Sequence, residues 1–444
     1  MFLNDLYCHI EENNLLSKDG RYIVALSGGA DSTALLVALC RLGYTVEAAH
    51  CNFHLRGRES DRDEEFCVLL CEKYEVPIHR IHFNTKEYAE LHKVSIEMAA
   101  RELRYGYFRQ LRRDINATAI CVAHHRDDLV ETMMINLVRG TGIKGLRGIM
   151  SVNGDIIRPL LIFDRSDIID FLDGIGQDYV TDSTNLTDDY TRNRIRRNIL
   201  PQLRQINPSL NEAFGRTATI MTEVDDLLTN LIAESGYRIS DNEIDVSRLT
   251  EDGNVGLRLH YLLDGYGLTR EQEDNIKQAV IHGDATGKTW QTNRHELLYD
   301  RGRILIEPLS ERKDIELRIP EAGTYVIDDN RKIRIEQMTI DNDFVIPRNP
   351  DTVAIDSKDV IFPLVVRNIS PGDRFAPFGM RGTKLVSDYL TDRKKTLFDK
   401  RRQLVLTDST GRILWLIGER IDNHYAVASD TKNIIHFSLL IKKK

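Results

Sequence analysis

Three carboxylates fall close together at Asp127, Asp128 and Glu131, directly after His124 and His125. Carboxylates and imidazoles packed this densely can hold cations, position amines and move protons. Asp127 and Glu131 are four residues apart, so on a helix they share a face. Capping of a helix N-terminus accounts for one such carboxylate and leaves the others to be explained. A second constellation is Leu26-Ser27-Gly28-Gly29-Ala30-Asp31-Ser32-Thr33. Two glycines where a strand turns into a helix permit positive φ and a close backbone approach. Successive N–H groups and the positive end of the helix then form an anion cradle. No Lys precedes the Ser/Thr pair, so this phosphate loop is not of the Walker A type. The stretch Gly283–Thr289 imitates a Walker A loop, but it is one residue short between its glycines and leads into strand-like residues.

Further residues with chemical potential follow the same logic. His50-Cys51-Asn52-Phe53-His54 leaves a predicted strand at a point where base and ribose of a nucleotide would lie. Two histidines with no further clustered ligand do not specify a metal site. Glu97, Arg101 and Arg104 recur at i, i+4 and i+7 and share one helix face. Gly140, Gly142, Gly145 and Gly148 make the stretch after Arg139 a mobile, backbone-accessible loop, either a lid or simply a long turn. Arg192, Arg194, Arg196 and Arg197 form a cationic segment suited to a polyanion. Between Arg381 and Arg402 there are eight Lys/Arg against three Asp, beside the Gly- and Pro-framed turn Pro371–Gly382. Arg381, Lys384, Arg393, Lys394 and Lys395 are candidate phosphate contacts there, and Tyr389 a candidate stacking surface.

The elements that must position these residues are legible as periodicity. Strands are predicted at Tyr22–Leu26, Thr45–Cys51, His79–Phe83 and Ala119–His124, and helices at Thr33–Leu42, Asp61–Lys73 and Ser95–Arg113. That alternation gives α/β, a doubly wound parallel sheet with its ligand crevice at the carboxyl ends of the strands. The phosphate loop, the His50 segment and the His124–Glu131 segment all sit at such ends and should share one crevice. Strand character resumes at Ile157–Leu161, followed by a helix at Asp164–Leu172. Residues 207 to 282 read as helices, and alternation takes over after Trp290. The expected organisation is residues 1–205 as catalytic domain, 206–312 as a helical subdomain and 313–444 as a C-terminal α+β domain.

A chain of 444 residues is too long for one core. Its net charge of −8 argues against a protein that coats nucleic acid non-specifically, though not against a local basic patch. All six cysteines lie in the first 121 residues, several in apolar patterns that fit buried thiols of a reducing compartment. No Cys-x-x-Cys pair, signal peptide or run of 18 apolar residues occurs, which points to a cytoplasmic protein with no membrane partner.

The Ser27–Ser32 pattern resembles the pyrophosphate loop of the N-type ATP pyrophosphatases. Together with His50–Gly57, Ala100–Tyr105, His124–Thr132, Arg139–Gly148, Asp182–Asn185, Asn193–Arg196 and Pro371–Leu390, it makes the chain resemble the tRNA(Ile)-lysidine synthetases. That family uses ATP and magnesium to attach lysine to the wobble cytidine of a CAU anticodon, through an adenylated cytidine. Carried onto the matching positions, the resemblance implies that Ser27, Gly28, Gly29, Ala30, Asp31 and Ser32, with His50 and Asn52, hold ATP. Asp31 would share Mg2+ with the phosphates. Asp31, Asp127 and Glu131 are the implied catalytic carboxylates, with the one that takes the lysine proton left open among them. Arg101, Arg104, His124, Asp128, Arg139, Gly140, Arg192, Arg194, Arg196, Arg374 and Lys384 are the implied substrate contacts. The implied partners are tRNA(Ile) with a CAU anticodon and L-lysine, and a homodimer is among the assemblies the resemblance allows. The alternative is a tRNA-thiolating enzyme of the same fold, whose relatives use a Cys pair that this chain lacks.

Overall fold

Strand β1 (Arg21–Ala25) is buried along Tyr22, Ile23 and Val24 and forms the centre of the first sheet. The computed structural model describes residues 1–181, 191–283, 286–309, 315–340, 344–347 and 349–442. The Asp182–Asn185 motif therefore lies outside the described residues, as do Tyr190 and part of the Walker-like stretch. Two compact units divide the chain, Met1–Thr229 and Asn230–Lys444.

In the first unit β1 pairs in parallel with β2 (Thr45–Asn52) on one side and β4 (Ala119–Cys121) on the other. With β3 (Ile78–His82), β5 (Val152–Asn153) and β6 (Ile156–Ile157) the sheet order is β3-β2-β1-β4-β6-β5. The chain fills one side of β1 before crossing to the other, so the switch point lies between the carboxyl ends of β1 and β4. Alternation along β1 feeds both faces. Tyr22 and Val24 pack beneath α1 (Phe2–Glu12), α2 (Ala30–Arg41) and α3 (Arg58–Lys73), while Ile23 meets Phe108 and Leu111. A short α4 (Thr85–His92), too polar to predict, precedes α5 (Ile96–Asp114), which carries Phe108 and Leu111. After β4 come α6 (Arg126–Val138), α7 (Ile143–Leu146) and α8 (Arg165–Gly174). The strand expected over Ile157–Leu161 ends at Ile157, because Pro159 removes a ladder donor and starts a 3-10 turn over Pro159–Ile162. Helix α9 (Thr191–Arg194) runs into a π-helical turn over Ile195–Ile199, then α10 (Leu200–Ile206) and α11 (Leu210–Glu234).

The second unit begins with β7 (Arg238–Ser240) and β8 (Glu243–Asp245), two short strands inside the stretch read as helical. Three residues each are too few for alternation to register. They join β9 (Thr289–Gln291), β10 (His295–Asp300) and β11 (Arg303–Pro308) in a five-stranded sheet. Its core is shared with α12 (Val255–Leu262) and α13 (Arg270–His282) through Leu259, Ile276, Leu297 and Ile304. Beyond it, a five-stranded and a four-stranded sheet share one core around Trp415 and Phe437. The ribbon of β17 (Arg374–Phe375, after β12–β16 at Glu316–Ile319, Gly323–Val326, Arg331–Thr339, Thr352–Asp356 and Leu364–Asn368) and β18 (Lys384–Leu385) leads into α14 (Val386–Asp392) and α15 (Leu397–Arg402).

Candidate active site

The phosphate loop joins β1 to α2 at the switch point. Gly28 stands at φ +86, and a Cβ there would meet Cys67 Sγ and Phe66 Cδ1 at 3.3 Å, so only glycine fits. The Ser32 hydroxyl donates to the Gly29 carbonyl at 3.1 Å and accepts from the Ser27 amide at 3.1 Å. The Val180 amide donates to the Gly28 carbonyl at 2.9 Å, and the Thr33 hydroxyl does so at 3.2 Å. These bonds tie up the loop's carbonyls and leave the start of α2, at Ala30 and Asp31, as the anion-facing end. His50 and Asn52, expected to touch ATP, are buried. His50 Nδ1 lies 2.9 Å from the Leu26 carbonyl and Asn52 donates to Glu64 at 2.9 Å, so both brace the strand ends beside the loop.

Across the switch point His125 forms the N-cap of α6, with its side chain 2% exposed. Its Nε2 is 3.8 Å from Asp31 and 3.5 Å from Asp128, and its Nδ1 is 3.4 Å from Asp127. Burial alone would lower its pKa, but the three surrounding carboxylates hold it above the ordinary histidine value. Asp31 is pushed up by burial, against the pull of His125 and Arg165. Asp31 Oδ1 is buried with no hydrogen-bond partner. A buried carboxylate oxygen left open beside an anion cradle fits a magnesium ion, which takes one or two protein carboxylates and completes its shell with phosphate and water. Among the described residues no group of three or more His, Cys, Asp or Glu forms an all-protein metal site.

The remaining carboxylates differ sharply from Asp31. Asp127 accepts from Asn211 at 2.9 Å, from the Arg165 amide at 3.1 Å and from Arg204. Burial alone would raise it, and these bonds with His125 hold it well below the carboxylate range. Both its oxygens are thus committed to joining α6, α8, α10 and α11. Glu131 is fully buried, and Arg192 Nε donates to it at 2.8 Å while Arg196 grips it with Nε and, at 3.2 Å, a terminal nitrogen. Asp128 accepts from the His125 amide at 3.0 Å and faces the same two guanidiniums at 3.4 and 3.5 Å.

Two cavities flank this cluster. One, of about 410 Å3, is lined by Asp127, Glu131, Asp164 and Glu212 together with Arg165, Arg196 and Arg204. The other, of about 450 Å3, is lined by Arg101, Arg139, Arg158 and Arg192, with His124 and a single acid, Glu97. The bonded set Glu131–Arg192–Arg196 contributes to both linings. His124 accepts from Arg158 Nε at 3.0 Å, and burial brings its pKa down to about 4, so it is neutral at pH 7. Arg104 stacks over Phe53 at 5.2 Å instead of lining the cavity, and Arg194 is exposed on the far side of its helix. Arg374 and Lys384 belong to the second unit.

Two expectations are revised. The stretch after Arg139 is not an open loop: it forms α7, Asn136 donates to the Gly145 carbonyl at 2.9 Å, and Arg147 pairs with the buried Asp225. Gly148 packs so tightly that a Cβ would lie 2.4 Å from Leu129. Tyr389 is 5% exposed, edge-on to Phe375 at 5.2 Å, and presents no face for stacking. His125 stood in the constellation read from the sequence, without a role of its own; as the buried N-cap of α6 it turns out to join Asp31, Asp127 and Asp128. Residues missed in the sequence include Arg158, Arg204 and Asn211, which carried no signal.

Residues 4–203 match the PP-loop domain family, and residues 239–309 match the TilS substrate binding domain. A tRNA(Ile)-lysidine synthase of Bacteroides thetaiotaomicron is 43% identical over 97% of this chain and 98% of its own length. One of Parabacteroides distasonis is 41% identical over 99% of this chain and all of its own. One of Porphyromonas gingivalis is 37% identical over 97% of each. No described helix is long and apolar enough to cross a membrane.

Proposed function

The chain belongs to the tRNA(Ile)-lysidine synthase family, and on that premise we propose how its residues divide the reaction. The enzyme uses ATP to form lysidine on tRNA(Ile). The relatives matched over nearly the whole chain form lysidine, and this favours that reading over the thiolating alternative.

Cytidine C2 is a poor electrophile while its oxygen is a poor leaving group. That oxygen attacks the α-phosphorus of the substrate ATP, pyrophosphate departs, and the oxygen becomes part of AMP, a good leaving group. The Ser27–Ser32 loop stabilises the departing charge with fixed N–H dipoles. Magnesium at Asp31, when bound, supplies charge neutralisation on the phosphates. The lysine ε-amine then attacks C2 and AMP leaves. Neutralising that amine at pH 7 costs about 4.6 kcal/mol, so a carboxylate must hold it and the cluster must take its proton.

The observation that carries the assignment is a pair of cavities of different character, a mixed-charge one lined by Glu131 and an arginine-lined one whose Arg192 bonds to Glu131. The mixed-charge cavity suits a zwitterion with a second ammonium, which is lysine. The arginine-lined cavity suits the wobble nucleotide and its phosphates. Exchanging a guanidinium on Glu131 for the lysine ammonium is neutral in charge, which makes Glu131 the place where the amine is held. Asp127, with every oxygen committed, acts as the anchor of the cluster. The basic C-terminal region is the further tRNA contact.

Steady-state kinetics test the division. Glu212→Gln raises KM for lysine and leaves KM for tRNA unchanged, and Arg139→Ala does the reverse. Equal effects of both variants on both constants would overturn it.

A further inference from the structure

We propose that Phe378, at the tip of the Pro377–Met380 turn, stacks on an unpaired 3′-terminal base of the tRNA; the proposal rests on the tRNA reading above and adds a binding site to it. With Tyr389 buried, the aromatic ring this region offers to solvent is Phe378, 48% exposed beside Met380 at 47%. The turn that carries it is fixed on both flanks. The Phe378 amide donates to the Ile421 carbonyl at 3.1 Å and the Met380 amide to the Pro377 carbonyl at 2.9 Å. Asn423 Oδ1 accepts from the Gly379 amide at 3.3 Å, and Arg420 donates to the Phe378 carbonyl at 2.9 Å. Beneath them Asp422, 5% exposed, accepts from the Ala376 amide at 2.8 Å. A ring held out on so braced a backbone loses little conformational freedom when a partner arrives.

The charges around it select the partner. Much of the basic run is neutralised internally: Lys384 pairs with Asp392, Arg393 and Lys395 with Glu419, and Arg402 with Glu307. Arg374 and Arg381 are exposed and have no acidic partner among the described residues, and Arg420 bonds only to backbone there. A flat apolar ring on a turn bonded by Arg420 and flanked in the chain by Arg374 and Arg381 matches single-stranded nucleic acid, in which phosphates take the cations and a base takes the ring. Most tRNA bases are already stacked in helices. The anticodon bases are claimed by the catalytic unit, which leaves the free 3′ end.

The test compares full-length wild type, Phe378→Ala and Phe378→Trp on intact tRNA(Ile) and on tRNA(Ile) trimmed of its unpaired 3′ nucleotides. Phe378→Ala weakens binding of intact tRNA about 5- to 150-fold, the span of one base–aromatic stack. Phe378→Trp retains affinity. The slope of log affinity against log salt is unchanged in both, whereas Arg381→Ala flattens it by up to about one unit. On trimmed tRNA, wild type and Phe378→Ala bind alike. Unaltered binding by Phe378→Ala, an equal loss on both tRNAs, or a change of oligomeric state in sedimentation would each overturn the site. Such a result with lysidine still formed by wild type removes this site alone, while wild type that forms no lysidine removes the underlying reading.

Discussion

Replacing Gly28 with alanine isolates the phosphate loop. At φ +86 an L-residue costs about 1–2 kcal/mol. The added methyl sits 3.3 Å from Cys67 Sγ and Phe66 Cδ1 and 3.5 Å from the Asp63 carbonyl. Cys67 is fully buried in α3, so it yields only by moving the helix, and overpacking of this kind adds about 1–3 kcal/mol. The combined penalty of about 2–5 kcal/mol has two outlets. Where the loop keeps its shape, the melting temperature of the first unit drops by about 4–20 °C. Where the loop flattens to escape, ATP affinity falls by about 30-fold or more. Gly29→Ala is the control. Its backbone, at φ −69 and ψ 164, suits any residue, and the new Cβ finds Ser27 Oγ at an ordinary 3.6 Å. Gly29→Ala therefore melts like wild type, whatever it does to phosphate approach. Calorimetry with ATP titration reads both quantities. Gly28→Ala indistinguishable from wild type in melting and ATP affinity, or Gly29→Ala melting as early as Gly28→Ala, would refute the geometry.

Asp31→Asn keeps the shape of the side chain but removes the charge beside the cradle; pyrophosphate release falls roughly 10²-fold or more while tRNA affinity holds, and normal turnover would remove Asp31 from the site. Glu131→Gln still releases pyrophosphate from ATP in the presence of tRNA but fails to transfer lysine, and loss of both half-reactions together would move Glu131 out of that role. His124 supplies a pH test. Its folded pKa of about 4 lies below the unfolded 6.5, so its contribution is intact above pH 6.5 and is lost as pH falls toward 4. Between pH 7 and 5 that loss is about 2 kcal/mol, and His124→Asn removes it, flattening the fall in urea midpoint relative to wild type. His125 works in the opposite sense, since its raised pKa contributes stability below pH 6.5 that is lost as pH rises through the folded value. The difference between wild type and His124→Asn cancels that background; identical acid slopes would contradict the neutral buried His124.

The parts of the site that were legible in the sequence are those built from local chain. The phosphate loop is one continuous turn, and β1, β2 and β4 are short apolar runs whose order follows from the helices between them. Asp127 and Glu131 share a face because both lie on α6, and they do line one cavity. What could not be read is pairing across distance. Arg204 and Asn211 reach Asp127 from 77 and 84 residues away and sit in stretches that look like plain amphipathic helix. That pairing commits both Asp127 oxygens, which is the ground for the anchoring role proposed for it. The glycines of the 140–148 loop signalled flexibility, yet Gly148 is small because Leu129 and Met133 press against it. Tyr389 stood in a charged run, but α14 turns it inward onto Phe375.

Mass analysis of the wobble nucleoside tests the central claim most directly. After incubation of tRNA(Ile) carrying a CAU anticodon with this protein, ATP, magnesium and isotopically labelled lysine, position 34 carries lysidine with the label retained, and one AMP and one pyrophosphate appear for each lysidine formed. Cytidine left unmodified under those conditions, or modified without the lysine label, contradicts the account.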